Sequence, residues 1–231
     1  MISPHHLHAL AAAWSLQAAL GALEAAAKAA IAGAVNGSRG SDEIPIPSQQ
    51  FGRRHSLGGH GDPTADRALG AWAPGGPDPH AAALGGILRE LDPKAALWPG
   101  APGMDPVTRI RQAIPGMSPH AAERTATALA VLDRSARRTL GPWAPPNRRP
   151  LRGPIPPTCP ACRCRATLHI QTAGHEDAWT VVCDGSQAPG QPHQPCLCTG
   201  PGCPCGMEGA VAGIAHIWPR AHVLGAVGGA R

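Results

Sequence analysis

The apolar residues near the N-terminus recur with the period of an α-helix. They follow one another at spacings of three and four residues, which places them on one helical face. They are Leu16, Leu20, Leu23, Ala27 and Ile31. The pattern predicts an amphipathic helix over residues 7–34, within an N-terminal segment 1–35, ended by Asn36-Gly37. The Gly-, Ser-, Arg- and Pro-rich stretch 36–61 predicts a flexible linker.

A repeated helix-start signal follows this linker. An Asp or Ser stands directly before a Pro at Asp62-Pro63, Asp78-Pro79, Asp105-Pro106 and Ser118-Pro119. The side-chain oxygen suits the N-cap, and Pro suits the first helical position, where its missing N–H costs nothing. The signals predict a helical region over residues 62–141. Its helices are expected at about 63–72, 79–91, 106–114 and 119–140.

The segment after these helices concentrates the positive charge of the chain. Residues 134–165 carry eight Arg and no Asp or Glu. A clustered Arg patch is the footprint of a polyanionic partner, and the alternative is a solubilising Arg-rich linker. Residues 142–157 are Pro-rich and predict a stiff connector. The candidate nucleic-acid contacts are Arg134, Arg137, Arg138, Arg148, Arg149, Arg152, Arg163 and Arg165.

Composition limits what the rest of the chain can build. The chain has 231 residues with 29 Gly, 27 Pro, one Phe and no Tyr, which favours loops and two small cores over one thick core. All eight Cys lie between Cys159 and Cys205. The apolar N-terminus has no Lys or Arg n-region and is interrupted by Gln17, Glu24 and Lys28, so it resembles neither a signal peptide nor a membrane span. We therefore expect a cytoplasmic protein whose thiols serve as metal ligands rather than disulfides.

The cysteine-rich region, residues 158–218, has the layout of a zinc ribbon. Cys159-Pro-Ala-Cys162 forms a knuckle whose two thiolates face one point. The alternating run 167–171, the turn 174–177 and the run 179–182 predict a β-hairpin that delivers Cys183. Twenty residues separate Cys162 from Cys183, a spacing within the range of zinc modules. The predicted fold class is a mainly α N-terminal region, a small β-hairpin zinc-ribbon-like C-terminal domain, partly disordered linkers and a tail at 219–231.

Eight Cys can supply one or two tetrahedral Zn²⁺ sites of four ligands each. The first predicted site is Cys159, Cys162, Cys183 and Cys196. The second uses Cys198, Cys203 and Cys205, completed by His216 or by Cys164. An iron–sulfur cluster also uses four thiolates. A redox pair at Cys159 and Cys162 expects a βαβ context, which the sequence lacks.

The order of these residues also carries a resemblance. The run contains Cys-Pro-x-Cys, Thr-Leu, Trp-Thr-Val-x-Cys, Cys-x-Cys, Cys-x-Cys and His-Ile-Trp. Its matching positions are Cys159, Cys162, Trp179, Cys183, Cys196, Cys198, Cys203, Cys205, His216 and Trp218. Over about residues 150–220 it resembles uncharacterised zinc-ribbon-like proteins of actinobacteria and their phages. The resemblance implies a small zinc-ribbon-like domain behind a helical region, and no settled function. Cys164 stands where such ribbons carry a non-ligand.

No catalytic signature accompanies the cysteines. The sequence has no phosphate loop, dinucleotide fingerprint, Ser-centred elbow or paired carboxylates, and a ligand set dominated by sulfur predicts a structural metal. The helices at 106–114 and 119–140 suit an ordinary hairpin better than a DNA-reading motif. His5, His6 and His8 are expected on a solvated terminus. We therefore predict a non-enzymatic zinc protein associated with nucleic acid, with no membrane or small-molecule partner. A protein-interaction adaptor, in which zinc only holds a docking surface, is the alternative.

Overall fold

The computed structural model describes residues 2–40, 78–152, 157–185 and 194–228, and the side chains of 32–40 and 225–228 are outside that description. The predicted helix 63–72 and residues 41–61 of the predicted linker lie outside the described residues. The predicted disorder of the linker therefore falls on residues outside that description.

Five α-helices occupy the described residues. They are α1 (Pro4–Gly40), α2 (Pro79–Ala95), α3 (Pro106–Ala113), α4 (Pro119–Leu140) and α5 (Arg220–Gly228). Asp78, Asp105 and Ser118 cap α2, α3 and α4 through side-chain oxygens that accept backbone N–H groups. The three capped helices confirm the Asp/Ser-Pro start signal. The predicted stop at Asn36-Gly37 is wrong, because α1 continues to Gly40.

The first four helices share one hydrophobic core. Leu16 and Leu23 of α1 are fully buried, together with Leu91 of α2, Val107 of α3 and Leu129 of α4. The α1 positions are those of the predicted apolar face, with one exception: Ile31 is 60% exposed. Ile31 therefore lies outside the shared core.

The C-terminal half forms a four-stranded antiparallel sheet in the order β1-β2-β3-β4. Its strands are β1 (Arg148–Pro150), β2 (Leu168–Gln171), β3 (Thr180–Cys183) and β4 (Ile217–Pro219). β2 and β3 are the predicted hairpin. β1 lies within the predicted connector 142–157 and pairs with β2. α5 begins at Arg220, within the predicted tail 219–231.

Contacts between α1 and the sheet join the two halves. Leu7 and Ala11 of α1 pack with Val182 and Ile217 in a small buried cluster. The turn after β2 reaches the same helix at Gly174, where φ is +82° and an added Cβ would overlap the Trp14 ring. Glycine is required there by both conformation and space.

α1 also passes a test for membrane spans. By length and composition alone, its residues Pro4–Ile31 could cross a membrane. The core helix of a soluble protein passes the same test, and this helix supplies core residues to the helical region.

Candidate metal centres

The first centre gathers four cysteine sulfurs at one end of the hairpin. The Sγ atoms of Cys159, Cys162, Cys183 and Cys196 all lie within 4.8 Å of one another. Cys159 Sγ is 3.9 Å from Cys196 Sγ, and Cys162 Sγ is 3.8 Å from Cys183 Sγ. A tetrahedral zinc ion with Zn–S bonds of about 2.3 Å holds its sulfurs about 3.8 Å apart. The four side chains therefore have the spacing of a single-ion site.

Backbone N–H groups point at the sulfurs of this centre. The Cys162 N–H donates to Cys159 Sγ at 3.5 Å, and the Gly185 N–H donates to Cys183 Sγ at 3.4 Å. Such bonds stabilise sulfur in its charged thiolate form, the form that binds metals. Gly185 has φ +82°, and a Cβ there would overlap the Gln194 carbonyl oxygen. The knuckle after Cys183 consequently requires glycine.

The thiols of this centre differ in acidity. The hydrogen bond between Cys159 and Cys183 lowers the pKa of Cys183 to about 4 and raises the pKa of Cys159. Burial raises the pKa of Cys196 to about 12. Because a thiol must lose its proton to bind a metal, binding of a divalent cation here releases protons.

The second centre is formed by the remaining knuckles. Ligand atoms of Cys198, Cys203, Cys205 and His216 lie within 4.8 Å of one another. Cys203 Sγ is 3.2 Å from His216 Nε2, and the Gly200 N–H donates to Cys198 Sγ at 3.4 Å. Burial opposes ionisation of Cys203, but hydrogen bonds from Thr199, Cys205 and His216 lower its pKa to about 5. Of the two candidates for the fourth position, His216 is the one that stands there.

His216 also links the two centres. Its Nδ1 lies 3.1 Å from both the Sγ and the carbonyl oxygen of Cys196, a member of the first centre. Its ring stacks on Trp218 with centroids 5.4 Å apart, and the Trp218 indole N–H donates to the Cys205 carbonyl at 2.9 Å. Nε2 faces the second centre, and Nδ1 faces Cys196 of the first centre. A hydrogen bond from Nδ1–H to Cys196 would hold the ring in the orientation that a metal ligand needs.

Cys164 belongs to neither centre. Its thiol donates to the Cys162 carbonyl at 3.6 Å, and it is absent from both groups of converging ligand atoms. The chain turns sharply beside it, because Arg163 has φ 60° and Ala166 has φ 61°. A hydrogen bond with the Cys162 side chain raises the pKa of Cys164, so the two thiols are near each other even though Cys164 lies outside the group of four.

The eight candidate arginines divide into two groups. The side chain of Arg137 is 17% exposed and its Nε donates to both oxygens of Asp133, at 2.9 and 3.0 Å. Arg148 pairs with Asp184. Both pairs join an arginine of the Arg-rich segment to a carboxylate outside that segment. The remaining six are exposed: Arg134, Arg138, Arg149, Arg152, Arg163 and Arg165.

The N-terminal histidines correct another expectation. His5 and His6 are 7% and 2% exposed, so they do not lie on a solvated terminus. His6 Nε2 lies 2.9 Å from the Met117 carbonyl, and His8 Nε2 lies 2.9 Å from the Ala215 carbonyl. A pattern in the sequence could have indicated this burial. Small or polar side chains recur every three or four residues and so share one face of α1, at His5, His8, Ala12 and Ser15.

Comparisons with known proteins leave the centres as the main guide to function. No protein-family model matches the sequence, and no curated protein and no solved structure matches it either.

Proposed function

We propose that the protein binds two structural zinc ions, one held by four cysteines and one by three cysteines and a histidine. The carrying observation is the convergence of eight ligand atoms into two groups of four. Four protein ligands close each site, and closed sulfur-rich tetrahedral sites are typical of structural zinc. The proposal assigns the ions no catalytic role, because no coordination position is left for water.

Zinc is favoured over an iron–sulfur cluster by the distance between sulfurs. Separations of 3.8 and 3.9 Å in the first centre suit one ion at the middle of four thiolates. A cluster of several irons is larger and holds its four cysteines farther apart. In the second centre, an imidazole with three thiolates is a ligand set common in zinc modules.

Metal content provides the test of this proposal. Elemental analysis of the purified protein is expected to give two zinc ions per chain. His216→Ala is expected to retain one ion, with Cys164→Ala as the matched control that retains two. Iron with acid-labile sulfide, or a wild-type protein without bound metal, would contradict the proposal.

We further propose that the zinc module presents arginines to nucleic acid. Arg149 stands on β1, and Arg163 and Arg165 flank the first knuckle, so zinc fixes their positions. All three are exposed, and so is Arg152. Guanidinium groups contact phosphates without reading base sequence. The expected activity is weak, sequence-tolerant binding to DNA or RNA in an accessory or regulatory role.

Salt dependence tests the nucleic-acid proposal. Each phosphate contact contributes about 0.7–0.9 to the slope of log K against log salt. The Arg149→Ala/Arg152→Ala double variant is expected to weaken binding to all sequences alike and to reduce the slope by between one and two. Arg89→Ala/Arg124→Ala removes the same charge from exposed sites outside the segment and is expected to bind like wild type. Absence of binding at low salt would contradict the proposal.

The adaptor alternative has its own supporting observation. The metal module is joined to the helices through buried apolar contacts of Leu7 and Ala11 with Val182 and Ile217. A module fixed in this way forms a composite surface with α1 and α4, on which a protein partner can dock.

A further inference from the structure

A cleft lies where α1, α4 and the sheet meet. Its volume is about 530 Å³, within the range of binding sites for small ligands. One wall is a face of α4 and the opposite wall is a face of α1. The ends of β2 and β3 and the loop before β4 complete it. None of the eight candidate metal ligands lines it, so it is separate from both centres.

The α4 wall gives the cleft an elongated shape with charged ends. Glu123, Thr127, Ala130 and Arg134 follow one another at helical spacing and all line it. At a rise of 1.5 Å per residue, the eleven steps along the helix from Glu123 to Arg134 extend about 16 Å. The side chains between these ends are small, so a ligand backbone can approach the helix closely.

The charges at the two ends are available to a ligand. Asp133 also lines the cleft, but it is neutralised by Arg137 and accepts the Ser15 hydroxyl at 2.8 Å. Glu123 pairs with His120 at 3.4 Å, and both side chains are more than half exposed, which makes the pair weak. Arg134 has no ion-pair partner among the described residues. The cleft is thus acidic at one end and basic at the other.

Two polar side chains of the cleft can meet a ligand backbone. His5 lines the cleft and is 7% exposed, and its ring nitrogens can exchange hydrogen bonds with a ligand. Gln171 lines the opposite side. Its Oε1 accepts the Thr180 hydroxyl at 2.6 Å, so its amide N–H groups are available as donors.

We propose that this cleft binds an extended peptide of four to five residues, with a basic side chain at Glu123 and an acidic side chain at Arg134. At about 3.3 Å per extended residue, this length matches the distance between the two ends. The His5 ring and the Gln171 amide pair with the peptide backbone. A nucleotide is disfavoured, because Glu123 repels phosphate while Arg134 stands at the far end.

The proposal shares Arg134 with the candidate nucleic-acid contacts but can be tested separately from them, and it gives the adaptor alternative a defined site. Arg149 and Arg152 do not line the cleft. The Arg149→Ala/Arg152→Ala variant therefore keeps peptide binding even where nucleic-acid binding is lost, so the failure of either proposal is recognisable on its own.

The test uses the zinc-loaded full-length protein and three capped peptides: Lys-Ala-Ala-Ala-Asp, Lys-Ala-Ala-Ala-Lys and Asp-Ala-Ala-Ala-Asp. NMR follows the side-chain amide signal of Asn147, which lines the cleft. Wild type is expected to bind the Lys/Asp peptide with a Kd on the order of 1 mM or below, and about tenfold more tightly than the others.

Charge changes at the two ends should switch this preference. Arg134→Glu makes both ends acidic and is expected to prefer the Lys/Lys peptide, whereas Glu123→Lys is expected to prefer the Asp/Asp peptide. Arg89→Glu, at an exposed position outside the cleft, is the control and keeps the wild-type order. Zinc content and circular dichroism verify that each variant is folded. No saturable shift with any peptide, equal affinity for all three, or a larger shift with adenosine monophosphate overturns the proposal.

Discussion

The helical region and the metal module contain different kinds of core. In the helical region, Leu16, Leu23 and Leu129 interlock as fully buried aliphatic side chains. In the module, Cys159, Cys183, Cys196, Cys198 and Cys205 occupy much of the buried cluster, with Trp218 as its largest member. Ligand sulfurs occupy positions that apolar side chains would otherwise fill. The stability of the module therefore depends on the metal that those sulfurs bind.

The energies of the two cores differ in origin. Burying one leucine side chain contributes about 1.5–3 kcal/mol, and the helical region collects many such contributions. A structural zinc ion supplies about 10–16 kcal/mol of apparent binding energy, which an apolar cluster of this size cannot replace. Metal removal should therefore unfold the metal module while the helical region stays folded. No single substitution in the helical core is expected to produce so large a difference in stability between the two regions.

The largest expected effect is that of Cys183→Ser, or of a strong chelator. The module should unfold, because the first centre loses the sulfur that is most readily ionised, while α2, α3 and α4 persist on their own core. Far-UV circular dichroism should retain most of its helical signal. Trp fluorescence should shift to the red as Trp218, which is fully buried, becomes solvated.

The same experiment can contradict this contrast. Complete metal loss without a change in fluorescence would show that the sheet stands without ions. Loss of the whole helical signal would show that the two regions fold as one unit through the contacts of α1. Reloading the wild-type protein with zinc after chelation serves as the control for irreversible damage.

A smaller and opposite effect is expected from Leu129→Ala. Leu129 is 1% exposed in the helical core, and such a truncation costs about 2–5 kcal/mol. The free energy of unfolding of the helical region should fall by this amount, measured by urea denaturation, while the zinc content stays unchanged. Val131→Ala, at a half-exposed position on the same helix, is the control. A loss of zinc with Leu129→Ala would make the module dependent on the helical core.

The same division separates what the sequence predicts from what it does not. Helix starts were predictable because an N-cap oxygen and the following Pro act within one turn, as at Ser118-Pro119 and Asp105-Pro106. The residues that form each ligand group could also be predicted, because two cysteines close in sequence place their sulfurs close together in space.

Features that depend on distant partners were not predictable in this way. β1 and β4 are three-residue strands that gain their hydrogen bonds only from β2 and β3. The distribution of charge in the sequence likewise did not reveal that Arg137 also donates to Ser15, or that Arg148 pairs with Asp184. The burial of the N-terminal histidines depends on the carbonyls of Met117 and Ala215, which are more than a hundred residues away.

The smallest expected effect is that of Cys164→Ala, which tests how the module divides its eight cysteines. The Cys164 thiol donates to the Cys162 carbonyl at 3.6 Å and lies outside both groups of converging ligand atoms, so its removal should cost no metal ligand. Zinc content and the circular dichroism melting curve should equal those of wild type. Cys162→Ala, two residues earlier, is the matched control and should lose the ion of the first centre. If Cys164→Ala lost a stoichiometric ion, this thiol would be a ligand, and one of the two groups of four would be assigned incorrectly.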